Sequence, residues 1–526
     1  MTDQHRLVRS AGVMSFMTLL SRIFGYLRDN LLAQALGASR SADAFIIAFR
    51  IPNLFRRLVG EGAFTAAFIP TLSEYARGDD KRALWRFVGM TFWIMALILM
   101  VITAAGVIFS PLMVRVLAYG FAGIEDKWDL TVALNRMMFP YLLFIGLAAL
   151  VQGVLNVHGS FGVPAFTPVL LNLSIIGAAL FLAPSMEEPA WAFAWGVLLG
   201  GLLQLGFQMP FVMRLGMAFR PRFRLSEGLR DPGVRQIGRL MIPGLFGMGI
   251  VQFTILVDSL FASLLPEGSV SALYYSGRVN ELALGGFVIS LSTVILPSLS
   301  RYASQGRIDD LRAMLIYGLR VVGFITIPAA LGLIILRERI ISVLFERGRF
   351  GPGDTQLASQ ALLYYAVGLF SFAAVKILAP AFFSQKDTRT PAIIAAWTLG
   401  LHVCIVWPLS RVMAHAGIAL ADSLSATFNM IALLAVFGRR HGLQGAEKLI
   451  VPAIRLVTAS IVMAVLALPV ARWSERLFAG MPLASALALG ATITFCTATY
   501  FLVCHALGST ETREIAGAIL PWRRAR

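Results

Sequence analysis

The sequence predicts an all-α polytopic membrane protein of about 14 transmembrane helices. Three observations carry that expectation. Of 526 residues, 58% are hydrophobic and 14% are charged, whereas an ordinary soluble domain carries about 25% charged residues. Mean hydropathy is +0.76. Apolar runs recur from one end of the chain to the other, each too long and too continuous for a barrel strand. Lipid admits only helices or closed barrels, because every backbone N–H and C=O must find its partner inside the span. The runs are therefore helices. A soluble enzyme, a disordered chain and a secreted disulfide scaffold are excluded.

The expected spans are 9–36, 41–74, 86–113, 130–157, 163–184, 190–213, 236–264, 269–299, 311–336, 357–384, 391–410, 414–437, 449–471 and 482–506. The first opens on apolar residues 11–20, but Ser21 and Arg22 follow, so no small-residue cleavage site marks it as a removed signal. The second is interrupted by Pro52. The third, fourth and fifth are plainly apolar. The sixth carries Gly196, Gly200 and Gly201, which permit close helix contact. The seventh opens with Pro243, Gly244, Gly247 and Gly249, a flexible start. The eighth contains charges, and the ninth to fourteenth are again apolar. Cys404, Cys496 and Cys504 lie in apolar runs without metal-ligand spacing. No phosphate-binding glycine loop, HExxH or GxSxG occurs, so no bond-breaking site is expected.

Loop charge sets the expected orientation. The net charge is +17, from 45 Lys+Arg against 28 Asp+Glu. Roughly 25 of the basic residues fall on the side of the termini and roughly 10 on the other, which places both termini in the cytoplasm. Loop placement explains this charge without nucleic acid as a partner. The basic stretch 337–349 falls on the external side, and its apolar spacing suggests a short interfacial helix.

The chain repeats itself weakly. ADAFIIAFRIPNLF runs on to FIPTLSEYA, and SALYYSGRVNEL runs on to ILPSLSRYA. This predicts two six-helix lobes, 1–225 and 226–445, related by a parallel repeat, with two additional helices in 446–526.

The most informative residues are the charges inside the spans. They are Arg22, Arg28 and Asp29 in the first span; Asp43, Arg50, Arg56, Arg57 and Glu61 in the second; Asp258 in the seventh; and Arg278 and Glu281 in the eighth. A central arginine costs about 2.5–3.5 kcal/mol even on lenient insertion scales. These groups must therefore face one another or water, which predicts a central cationic cavity between the lobes. Guanidinium stays protonated and grips phosphate through two parallel hydrogen bonds, so the expected ligand is an anion, with phosphate the best fit. Arg57 and Glu61 also read as a plain i,i+4 pair. Helical phase does not separate Arg56 from Arg57, because Pro52 precedes both.

SRIFGYLRD (21–29) and ADAFIIAFRIPNLFRRLVGEGAFTAAFIPTLSEY (42–75) resemble the MurJ (MviN) lipid II flippases of the MOP transporter superfamily. So do FTPVLLNLS (166–174), ALYYSGRVNEL (272–282) and KILAPAFFSQKDTRTP (376–391). The resemblance runs to the end of the twelfth span; the last two match in position and apolar character only. It implies alternating access and export of lipid II across the bacterial inner membrane for cell wall synthesis. The implied substrate-binding arginines are Arg22, Arg28, Arg56 and Arg278. Asp29, Asp43, Asn53, Glu61 and Glu281 are the implied cavity acids and supports. The implied partners are lipid II, membrane lipids and the cell wall synthesis machinery, with the undecaprenyl tail beside the last two helices. No bond is broken and no cofactor is expected. Some members carry an Asp directly before the eighth-span arginine; here it is Gly277. Some also hold sodium through an acid matched by Asp258 and polar groups on the eleventh and twelfth spans. Here the eleventh offers His402 and Val406 instead, and Val406 has no oxygen for a hard cation. That departure does not support a sodium site and leaves the coupling ion open, with Asp258 a candidate ion or proton site. The alternatives are a flippase for another undecaprenyl-diphosphate-linked glycan and a multidrug or ion antiporter of the same superfamily. The arginine surplus argues against the antiporter.

Overall fold

A computed structural model describes residues 3–57, 62, 64–78, 80–217, 225–285, 287–442, 447–481 and 483–512. Among these residues every regular element is helical. Eight helices are long and apolar enough to cross a membrane, or ten when two bent pairs each count as one span. The protein is thus a multi-pass membrane protein. The chain divides into two compact units: Met1–Ser271 with Arg347–Phe350, and Ala272–Glu346 with Gly351–Arg526. This boundary differs from the one drawn through the repeat.

The first unit contains α1 (Asp3–Leu36), α2 (Arg40–Phe55), α3 (Phe64–Arg77), α4 (Lys81–Ile108), α5 (Ser110–Leu117), α6 (Glu125–Met138), α7 (Tyr141–Val157), α8 (Gly162–Phe181), α9 (Ala190–Arg214), α10 (Leu225–Arg230) and α11 (Pro232–Ser263). Its core joins α3, α4 and α7 through buried Phe64, Phe68, Phe87, Leu99, Leu150 and Val154. α11 packs along α3, which is why the boundary falls after it. The second expected span is two helices here, α2 and α3, and Pro52 sits in the last turn of the first.

Lipid tails are as apolar as leucine, so these helices associate mainly through close packing. The contact of α8 with α9 shows how. A Cβ on Gly196 would lie 2.7 Å from the Cα of Ile175, a backbone atom that cannot swing away. Ser174 Oγ donates to the Gly196 carbonyl at 2.8 Å across the same contact. Gly196→Leu is expected to cost about 2–3 kcal/mol through overpacking. Thermal unfolding of the purified variant checks this, and an unchanged melting temperature would refute it.

The second unit contains α12 (Ser269–Gly285, shared at its first turn with the first unit), α13 (Phe287–Ser304), α14 (Ile308–Phe345), α15 (Pro352–Val367), α16 (Leu369–Phe383), α17 (Arg389–His441), α18 (Glu447–Leu477) and α19 (Ala484–Ala506). α15 and α16 bend by 45° at Gly368. Ser423 of α17 fills the bend, and its hydroxyl donates at 2.6 Å to the Tyr364 carbonyl that the break releases. Within α17, Ala414 has φ 50° and ψ −135°, so the eleventh and twelfth expected spans are separate helices meeting at a strained residue. The basic stretch 337–349 is not a separate interfacial helix. α14 runs unbroken for 38 residues to Phe345, and Ile340, Ile341 and Phe345 bury its last turns. α18 and α19 pack on each other and on α14. Tyr500 donates to the Phe324 carbonyl at 2.8 Å, and Arg320 Nε donates to Glu511 at 2.8 Å.

Candidate functional site

The span charges expected from the sequence in the first unit lie mostly on α1 and α2. Arg22 is exposed and has no ion pair among the described residues. Arg28 lies two turns away from Ser21 along α1 and is largely buried. Its Nε and Nη2 both donate to Asp29 Oδ1, at 2.9 and 2.7 Å. Its Nη1 donates to Asn172 Oδ1 of α8 at 3.1 Å. Asp29 is 4% exposed, so this carboxylate depends on the arginine beside it. The sequence marks Asp29 as an acid offsetting the arginine charge, but not Asn172, because a lone asparagine in an apolar run carries no local signal.

On α2, Arg50 Nη1 donates to Ser259 Oγ of α11 at 2.7 Å. Arg56 Nε donates to Asn53 Oδ1 at 3.0 Å, and Asn53 Nδ2 donates in turn to the Phe49 carbonyl at 3.1 Å. Asn53 therefore turns Arg56 back along the helix, while Arg57 is exposed. Glu61 lies outside the described residues, and with it the expected pairing to Arg57.

Asp43 requires a correction. It was expected to orient the arginines, and instead it is sealed at the start of α2. Lys127 Nζ of α6 approaches Asp43 Oδ2 at 2.8 Å, with side chains 3% and 1% exposed. The Gly268 N–H donates to Oδ2 at 2.9 Å. The Ser271 N–H and hydroxyl both donate to Oδ1 at 2.8 Å. Lys127 also stands 4.1 Å from the Phe121 ring centroid. Four donors on one carboxylate satisfy its oxygens and tie three stretches of chain together. Lys127 sits in the polar stretch EDKWD, which reads as a solvated loop, so the sequence gave no sign of its burial.

Asp258 is half-buried on α11, one residue before the Ser259 that receives Arg50.

In the second unit, Arg278 of α12 donates through Nη1 to Glu281 Oε2 at 2.7 Å and stacks 4.8 Å above the Tyr274 ring. Its side chain is one-third exposed, and that of Glu281 is more so. A Cβ at Gly277 would meet open space, so nothing steric excludes a larger residue there. On α17, His402 is buried, with Nδ1 at 3.3 Å from Ser425 Oγ and 3.8 Å from Asp422 Oδ1. Val406 is fully buried. One turn from His402, Val406 supplies no oxygen to a hard cation, while Asp422 and Ser425 place oxygens beside the His402 ring.

Outside the spans, Asp387 accepts from the Thr390 hydroxyl and N–H and from Arg440, which holds its carboxyl down to about 2. That cluster pins the turn before α17 to the end of the same helix. An apolar hollow of about 820 Å³ between α7, α8 and α9 is lined by Phe144, Leu170, Gly177, Trp195 and Leu199. It offers nothing to an anion. The span arginines Arg22, Arg28 and Arg50 lie on α1 and α2 of the first unit, and Arg278 lies on α12.

Comparisons with known proteins identify the family. The family model described as lipid II flippase MurJ matches residues 32–493. A probable lipid II flippase MurJ from Vibrio cholerae is 40% identical over 439 residues, covering 82% of this chain and 83% of that protein. The lipid II flippase MurJ of Burkholderia cenocepacia is 35% identical over 463 residues, covering 87% and 89%. Among solved structures, a lipid II flippase MurJ in an inward closed conformation has a TM-score of 0.76 at 24% identity, covering 94% of this chain and 99% of that one. An inward-facing multidrug resistance MATE transporter of the MOP superfamily has a TM-score of 0.65 at 12% identity, covering 81% and 96%. These two likenesses concern the fold.

Proposed function

The chain belongs to the MurJ family of lipid II flippases, and we propose that it carries lipid II from the inner to the outer leaflet of the bacterial inner membrane by alternating access. The observation that carries this reading is Arg28, a permanently charged group buried in an apolar span, paired with one carboxylate and one neutral amide. Arg28 with Arg22, Arg56 and Arg278 would bind the diphosphate. Asp29, Asn53 and Glu281 would hold those side chains when no substrate is present. Asp43 would instead hold the outer end of the first unit together through Lys127. The undecaprenyl tail would stay in lipid beside α18 and α19, whose exposed faces are apolar. The protein is a transporter that breaks no bond and uses no organic cofactor, and both termini lie in the cytoplasm.

The test is replacement in a bacterium depleted of its own flippase, reading lipid II accessible at the outer leaflet. The wild-type chain is expected to restore it, while correctly inserted Arg22→Ala, Arg28→Ala and Arg278→Ala variants fail. Well-inserted wild-type protein that exposes no lipid II would overturn the substrate; variants that rescue fully would make the arginines structural. Exchanging sodium for potassium in reconstituted vesicles is expected to leave translocation unchanged, because the eleventh span offers His402 and the hydrocarbon Val406 where a hard cation needs oxygens. A rate that rises with sodium would refute that expectation.

A further inference from the structure

We propose that Asn172 is a positioning residue, holding the Arg28 guanidinium in the orientation in which it meets phosphate. This rests on the reading above that Arg28 binds the lipid diphosphate. Asn172 is 6% exposed on α8 and clasps two successive turns of α1. Its Nδ2 donates to the Ser21 carbonyl at 3.0 Å, and its Oδ1 accepts from Arg28 Nη1 at 3.1 Å. Ser21 and Arg28 are seven positions apart and share one helix face. The bond to Ser21 settles which way the amide points: with Nδ2 committed to a carbonyl, only the oxygen can face the arginine. Gly25 lies between the two turns, and a Cβ there would already stand 3.6 Å from Nδ2.

The chemistry of the residue matters as much as its place. Asp29 neutralises Arg28 from Nε and Nη2. A second carboxylate at 172 would complete a cage of acids and compete with phosphate for the cation. A neutral amide fixes Nη1 through one hydrogen bond and leaves the positive charge for an anion. An apolar residue would remove the hydrogen bond that fixes Nη1 against α8.

The test is a double-mutant cycle on the full-length protein in lipid nanodiscs, with lipid II as the probe and thermal unfolding measured in parallel. Asn172→Ala is expected to weaken lipid II binding about ten-fold, the scale of one hydrogen bond to a charged group. In the Arg28→Ala background the same change is expected to have no further effect. Asn172→Asp is expected to melt no lower than wild type and still to bind lipid II at least ten-fold more weakly, since its carboxylate occupies the arginine. Equal weakening by Asn172→Ala in both backgrounds would overturn the proposal, because the residue would then act through packing alone. So would wild-type affinity in Asn172→Asp. A wild-type chain that binds no lipid II would overturn the functional reading and this inference together, whereas wild-type binding with additive losses sinks this inference alone.

Discussion

Replacing Arg28 by alanine is expected to abolish lipid II export while the protein still inserts. Two losses coincide in this variant. The diphosphate loses a rigid donor fork, and Asp29 loses the partner that makes its burial tolerable. Stripping one member from a largely buried ion pair costs about 3–5 kcal/mol, so the variant should also melt earlier. The two effects separate in Arg28→Lys. Lysine restores the charge beside Asp29 and much of the stability, but it presents a point charge in place of a planar fork. Export by Arg28→Lys should therefore remain well below wild type, as read from lipid II accessible at the outer leaflet. Normal export by a stably inserted Arg28→Ala would sink the phosphate-binding role. Full export by Arg28→Lys would reduce that role to simple electrostatics.

The largest expected effect on stability lies elsewhere, at Lys127. Lys127→Met removes the cation from a carboxylate that is 1% exposed and keeps most of the buried hydrocarbon. Asp43 would retain the Gly268 and Ser271 donors, which carry no full charge. The expected loss is about 3 kcal/mol, the lower end for breaking a buried pair. Asp43→Asn combined with Lys127→Met should recover part of it, because no uncompensated charge then remains. Thermal unfolding of the two singles and the double reads this directly. A loss below about 1 kcal/mol in Lys127→Met would mean that the three neutral donors suffice for Asp43.

The same two residues show where reading the chain reaches its limit. Arg22, Arg28, Arg56 and Arg278 stand out in sequence because a guanidinium in an apolar run needs an explanation wherever it occurs. Asp29 and Glu281 are legible too, since each lies within a turn of its arginine. Asp43 was equally conspicuous, yet its partner was not legible, because Lys127 lies 84 residues away in the first turn of α6, a stretch of ordinary polar composition. Asn172 is 144 residues from Arg28 and looks like one polar residue among leucines. The unbroken course of α14 through 337–345 was missed for a related reason. The arginines suggested an interface, but no glycine or proline falls in 337–345, and its apolar residues find a packing surface.

Composition and run length by themselves determine that this chain is a bundle of membrane helices, because lipid leaves the backbone no other way to satisfy its polar groups. Residue type by itself marks which charges need an explanation, because an arginine in an apolar span is costly unless it meets an acid, an anion or water. Only the tertiary structure decided which acid answers which base, that Ser423 fills the bend at Gly368, and that the eleventh and twelfth spans part at Ala414. Those outcomes depend on distances between helices remote in the chain. Hydropathy reports how each segment meets lipid, and it is silent about which segment it meets.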